Sequence, residues 1–337
     1  MRGSGTEATV RFLRLSYSLL LGLPLLCAAA TYTWTGGSGS NANWSGSGSS
    51  ANWSSAPSAS NTTDTLVFGT GSASGTSPNA NAAFSFGTLQ FGGTSTSYSI
   101  IGSTLTVYSG ITQLATATAN ESISNAITLG GSSVTYQNSS SKTLTLSGTT
   151  ALNNKSLTIS SGPVTVGAFS GSGTVTVGSG ASLAIANGFT DTSMNVSLGG
   201  GSLLLTGDTY TIGNLTLTAN STIDFGSSSA SVLKVNGTLN LAGYSLTVLG
   251  WSNSSTAFYA STFTGATLGT VGSTVEKEIN FSGWSSWQAN TWDSSGYLHT
   301  VPVPEASDYG LLLSASLAAL PAFRAWRCRR KAALPPA

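Results

Sequence analysis

The chain has 337 residues, room for one large domain or two ordinary ones, yet only 7% of them are charged, where roughly a quarter is usual. The formal charge of +1 hides a division: the basic residues cluster at the two ends, and between Thr31 and Val303 four lysines meet eight acids, a balance of about −4. That middle lacks the basic footprint of a nucleic-acid binder, and because Cys27 and Cys328 both lie outside it, it holds neither a disulfide framework nor a thiolate metal site.

Residues 1–30 read as a secretory signal. Arg2, Arg11 and Arg14 give a positive start, Leu15 to Leu26 an apolar core, and Ala28-Ala29-Ala30 a small-residue cleavage site, with Ala28 and Ala30 as the residues a signal peptidase reads. A lipoprotein reading would acylate Cys27, but Leu26 before it is too large for that cleavage pocket. The chain is therefore expected to be exported through a secretion translocon.

Residues 31–60 form a Trp/Gly-rich segment in which Trp34, Trp44 and Trp53 punctuate Gly, Ser and Asn turns. The phrases Asn43-Trp44-Ser45 and Asn52-Trp53-Ser54 repeat one another. Large rings among small residues are the apolar payload of an N-terminal cap that shields the first open sheet edge. The competing reading exposes Trp44 and Trp53 as platforms for sugar rings.

Residues 61–251 become a ladder. After DTLVF and FGTLQF come STLTVYSG, NAITLG, SSVTYQN, KTLTLSG, KSLTISSG, PVTVG, GTVTVGSG, ASLAIANG, NVSLGG, GSLLLTG, NLTLTAN, STIDFG, TLNLAG and YSLTVLG. Each alternates Leu, Val or Ile with Thr or Ser and closes on Gly or Asn, which is the period-two signature of short strands with tight turns. Nothing before the C-terminal apolar run reads as a helix. A sandwich or antiparallel barrel would explain short strands. A right-handed parallel β-helix explains the self-similar phrases and very short corners better. On that reading a coil takes about 18 to 24 residues, the ladder holds roughly ten coils, and low charge follows because like charges stacked at about 4.8 Å would repel.

Residues 252–302 replace the ladder with aromatics: Phe258, Tyr259, Phe263, Phe281, Trp284, Trp287, Trp292 and Tyr297. They are expected to close the last coil as a C-terminal cap. Residues 303–331 then place three parts in fixed order. Val303-Pro304-Glu305-Ala306-Ser307 is a short motif; residues 309–326 are an apolar run whose helix would be about 27 Å long, near a membrane core. Arg324, Arg327, Arg329, Arg330 and Lys331 form a basic block that belongs on the cytoplasmic side of a transmembrane helix.

That ordered tail resembles the tripartite PEP-CTERM sorting signal of Gram-negative bacteria, with Ala306 standing where the family usually carries Pro. The resemblance implies transient anchoring in the inner membrane and cleavage by a membrane enzyme of the exosortase class. An ordinary single-span anchor is the plainer alternative. The phrases NLTLTANSTIDFG and TLNLAGYSLTVLGW, with the Trp/Gly-rich opening, resemble the autotransporter-associated β-strand repeats of bacterial surface proteins. An autotransporter would end in an outer-membrane barrel of alternating strands, which this tail does not provide.

Catalytic machinery is sparse. His299 is the one histidine, so neither a His-based triad nor a multi-His metal site can be built. No phosphate loop is present, since no Gly-Lys-Ser/Thr follows the Gly-rich pieces. Asp191, Asp208 and Asp224 recur at nearly one coil and could line a face for polysaccharide cleavage or for calcium, but their Gly-flanked settings also suit turn residues. The expectation is an all-β, non-enzymatic protein with no catalytic residues, no metal and no cofactor. It would be delivered to the cell surface or extracellular matrix for biofilm structure or adhesion, with extracellular polysaccharide as a partner. The alternatives are a carbohydrate-binding module or polysaccharide-active β-helix enzyme, or an adhesin that joins copies end to end.

Overall fold

A computed structural model of the chain describes residues 29–37, 42–45, 52–69, 77–93, 96–226, 230–252, 257–264, 278–282 and 287–302. The chain divides after Ala30, and the fold below is that of the unit beginning at Thr31. It is a parallel β-solenoid of about 8 turns. Among the described residues 25 strands run from β1 (Thr31–Trp34) to β25 (Leu298–Pro302), and the pairings from β1 through β23 (Ile279–Phe281) are parallel.

Three walls enclose one core. The first is carried by β1, β2 (Thr65–Phe68), β9 (Ser133–Asn138), β12 (Gly173–Gly178), β15 (Met194–Gly199) and β18 (Leu215–Ala219). The second is carried by β7 (Glu121–Ile123), β13 (Ala181–Ile185), β16 (Ser202–Leu205), β19 (Ser221–Asp224), β21 (Leu246–Leu249) and β23. The third is carried by β8 (Ile127–Leu129), β14 (Phe189–Asp191), β17 (Thr209–Ile212) and β22 (Ala257–Phe263). Longer strands turn a corner without leaving the ladder. β4 (Phe84–Phe91), β6 (Leu105–Gln113), β10 (Leu144–Ala151), β11 (Lys155–Ser170) and β20 (Val232–Asn240) each serve two walls or more.

Alternation in the sequence becomes stacking in space. On the first wall, Tyr32, Leu66, Leu89, Ile111, Tyr136, Ile159, Val177, Leu198 and Leu217 lie rung on rung. On the second, Leu144, Val164, Leu183, Leu203, Ile223, Val248 and Phe281 do the same. Apart from Tyr32, these side chains are almost wholly buried. Fully burying one such group contributes about 1.5–3 kcal/mol, so the stack is the main source of stability in a chain without disulfides in this region.

Corners are set by backbone chemistry. Leu152-Asn153-Asn154-Lys155 closes with the Lys155 amide on the Leu152 carbonyl at 2.9 Å, and the two asparagines hold φ of 52° and 58°. That is a type I′ turn, in a conformation asparagine tolerates better than most residues. Gly162 sits at φ 64°, where a Cβ would lie 1.9 Å from the Asn138 carbonyl oxygen of the coil beneath. Only glycine fits that corner.

Equivalent positions within the ladder recur after 18 residues, as from Lys155 to Gly173, up to 25, as from Gly110 to Thr135. Corners longer than expected, together with the extended first coil between Thr31 and its partner Thr65, are why about eight turns form and not ten.

Candidate functional surfaces

Both ends of the stack are closed by the chain itself. At the N-terminal end, the free edge of β1 is covered by residues 52–54: the Thr35 amide donates to the Asn52 carbonyl at 2.7 Å and the Ser54 amide to Thr33 at 2.8 Å. Trp34, Trp44 and Trp53 then fold over the first coil. Trp44 meets Trp53 edge-on at 5.7 Å and Phe84 at 5.3 Å, while Trp34 and Trp53 cross at 5.1 Å, and all three rings pack on Phe68. Trp44 is 1% exposed and Trp53 3%. The glycan-platform reading of Trp44 and Trp53 therefore needs correction: their ring faces are occupied by Phe68, Phe84 and each other. Burial of that much aromatic surface outweighs any benefit of leaving it in water.

The C-terminal end closes differently. Here the parallel ladder gives way to antiparallel pairing of β23 with β24 (Trp287–Trp292), and of β24 with β25. Trp251 packs edge-on against Phe225 at 5.4 Å and against Phe281 at 5.1 Å, filling the last turns from within.

The three ladder acids are spent on backbone amides, two within their own turns and one across coils. The Asp191 carboxylate accepts from the Ser193 amide at 3.0 Å and from its hydroxyl. Partial burial would raise its pKa, but these bonds and the Gly171 and Met194 amides outweigh that and hold it below the usual carboxylate range. Asp208 accepts from the Gly188 amide at 3.1 Å, and Asp224 from the Gly226 amide at 2.8 Å. Asp191 ends a third-wall strand, whereas Asp224 ends a second-wall strand, so the three do not form one row. Among the described residues no group of three or more His, Cys, Asp or Glu side chains could hold a metal ion.

What remains outward is largely neutral hydroxyl and amide. The first wall presents Thr65, Thr88, Gly110, Thr135, Thr158, Thr176, Ser197, Thr216 and Asn240 on successive rungs, each about 4.8 Å from the next. Side chains also bridge coils through the corners: Asn138 Nδ2 donates to the Pro163 and Lys142 carbonyls, both at 2.7 Å, and Asn125 Nδ2 to the Ser103 carbonyl at 2.7 Å.

Outward aromatic rings gather at the C-terminal end of the third wall, where sequence patterning gave no warning. Tyr259 and Tyr297 stack at 5.2 Å, Tyr297 is 36% exposed, and Lys234 is the rung neighbour of Tyr259. Beside them the Asp293 carboxylate closes the turn between β24 and β25, taking the Ser295 and Tyr297 amides on Oδ1 and His299 Nε2 at 3.0 Å on Oδ2. The His299 bond, ahead of the Tyr297 amide, holds Asp293 below the usual carboxylate range. The signal that could have separated these tyrosines from the cap aromatics is their parity: Phe258 and Ala260 point inward, so Tyr259 points out.

The cleavage residues Ala28 and Ala30 divide at the edge of the description: Ala28 lies outside the described residues. The motif Val303 to Ser307, the apolar run and the basic cluster Arg324, Arg327, Arg329, Arg330 and Lys331 lie outside them entirely. Among the described residues no helix is long and apolar enough to cross a membrane. Compared with protein-family models, with curated proteins and with solved structures, the chain finds no match.

Proposed function

We propose that this chain is an exported, non-enzymatic β-solenoid that serves a structural or adhesive role at the cell surface or in the extracellular matrix. Its coil is read as right-handed, the hand that parallel β-crossovers almost always take. An exosortase-type enzyme would cut the chain at the Val303–Ser307 motif, releasing it from a transient inner-membrane anchor at residues 309–326. The observation that carries the reading is that the described polar groups with chemistry to offer are committed to the rod itself. Asp191 and Asp224 cap turns, Asp208 ties its corner to the coil beneath, and the first wall displays hydroxyls with no charge among them. Such a surface suits extension through a hydrated polysaccharide, not bond cleavage.

Fractionation of the native host followed by mass spectrometry of the mature C-terminus tests the sorting step. A chain ending near Val303 outside the inner membrane is expected. A chain ending at Ala337 in the inner membrane overturns the sorting step and leaves a plainly anchored rod.

The carbohydrate-binding alternative is favoured by one observation, the outward Tyr259–Tyr297 pair. Exposed rings are where sugar faces stack, and Tyr297→Ala would abolish binding on a glycan array if this reading holds.

A further inference from the structure

One inward position on the second wall carries an ionisable group. The ladder that continues as Leu144, Val164 and Leu183 begins with Glu121, whose rung partner is Leu144. Glu121 is 2% exposed. One carboxyl oxygen, Oε2, accepts the Tyr98 amide at 2.7 Å, and the pairing of Ser99 with Ser122 places Tyr98 in the coil directly beneath.

Around the corner in the same coil stands Gln113, 0% exposed, in a column that runs Trp34, Phe68, Phe91, Gln113 and Asn138. Gln113 Nε2 donates to the Ala119 carbonyl at 2.9 Å, while its buried Oε1 has no hydrogen-bond partner. Thus a polar layer, Gln113 and Glu121, lies between an aromatic layer (Phe91 and Tyr98) and the next coil, where Asn138 stacks on Gln113 and Leu144 on Glu121. A buried acceptor without a donor is costly, and a buried carboxylate without a cation costs more. A neutral carboxylic acid at Glu121 removes the charge from this buried layer and with it the larger of the two costs.

We propose that the Gln113–Glu121 layer is a protonation-controlled lock in the rod: with Glu121 neutral the N-terminal coils are held firmly to the rest, and ionisation loosens the stack at this coil alone. The surroundings offer no charge to take over this role. The titratable groups facing this region are Tyr98 beneath and Tyr136, inward on β9 in the coil above; burial pushes both phenols up, with the Glu121 charge adding to the effect at Tyr98. Lys142, in the turn leading to β10, is exposed.

Burial drives the Glu121 carboxyl up from 4.5 to about 7, against the opposing bond from the Tyr98 amide. Between those values the unfolded chain is ionised while the folded chain still holds its proton. Stability is therefore greatest below 4.5 and declines as pH rises to about 7, where the folded form also ionises.

The test compares the wild-type rod with Glu121→Gln, a neutral side chain of the same shape that brings its own donor. Melting of both is followed from about pH 4 to about pH 9, alongside amide hydrogen exchange. The wild type should lose several degrees of Tm across this range, with exchange protection, taken relative to the intrinsic rate at each pH, falling in strands β5 (Ser99–Gly102) to β10 and not in β15 to β19. The Gln variant should keep the high-stability Tm throughout. Equal pH dependence of Tm in both proteins, or protection that falls uniformly along the rod, overturns the proposal. Should the variant fail to fold, the carboxylic-acid stretch of wild-type Glu121 in infrared difference spectra decides: its loss well below neutrality also overturns it.

Discussion

At the residue scale, corners reveal more than strands. Leu241-Ala242-Gly243-Tyr244 makes the same closed turn as the Asn153-Asn154 corner, with the Tyr244 amide on the Leu241 carbonyl at 2.8 Å. Here, however, an alanine holds φ of 54°. A left-handed conformation costs an ordinary L-residue about 1–2 kcal/mol, and asparagine tolerates it better. Ala242→Asn should therefore raise stability by about 0.5–1 kcal/mol, read as an upward shift in denaturation midpoint at unchanged slope. At Gly162 the sign reverses, because a Cβ meets backbone of the coil beneath, which cannot move aside. Gly162→Ala should destabilise the rod by several kcal/mol on the same measurement, the clash adding to the left-handed penalty. The Gly and Asn punctuation made such corners legible in the sequence. The buried role of Glu121 was not legible: Asn120-Glu121-Ser122 reads as a polar turn, and only pairing with Leu144 shows that the side chain points inward.

At the element scale, the ladder was readable because burial alternates faithfully within strands. Leu144-Thr145-Leu146 and Val175-Thr176-Val177 bury their first and third residues and expose the middle one in part. Strands that round corners were not readable. KSLTISSG and PVTVG scan as two strands, yet they belong to the single element β11, because Gly162 turns the chain while its neighbours stay paired to coils above and below. The caps were legible as aromatic-rich segments, but which rings face inward depends on long-range packing and not on local period. That packing makes a prediction. Trp44 touches Trp53, Phe68 and Phe84, so Trp44→Ala opens a cavity under the edge of β1 and should cost about 3–5 kcal/mol. Residues 52–54 would then cover that edge less well, and an uncovered edge strand pairs with other chains. Sedimentation should show wild-type protein remaining monomeric while Trp44→Ala associates with rising concentration. A monomeric variant would mean that the backbone bonds of residues 52–54 seal the edge without the ring.

At the scale of the whole molecule, a solenoid is nearly one-dimensional, since each coil meets only its neighbours. Its stability is then close to a sum over rungs, and one turn should be removable without loss of fold. The register identifies a cut. Gly173 pairs with Met194, so deleting residues 174–194 joins Gly173 to Asn195 with the wall in phase. Ser156, Leu157 and Thr158, which pair with Thr174, Val175 and Thr176, would then meet Asn195, Val196 and Ser197. On the second wall Val164, which pairs with Leu183, would meet Leu203. On the third, Phe169, which packs on Phe189, would meet Tyr210. Each new contact keeps apolar on apolar and hydroxyl or amide on hydroxyl. The shortened protein should fold, unfold cooperatively with a smaller denaturant slope, and lose about 4.8 Å of length in solution scattering. Shifting the cut by one residue, to 174–195, reverses the parity of the joined strand up to Gly199, turning Val196 and Leu198 outward, and should destabilise the rod by several kcal/mol relative to the in-phase deletion. The contrast between these two deletions separates a modular ladder from a core that depends on its complete length. If the in-phase deletion also fails, the rungs are not interchangeable, and the uneven coil lengths carry structural information beyond the repeat.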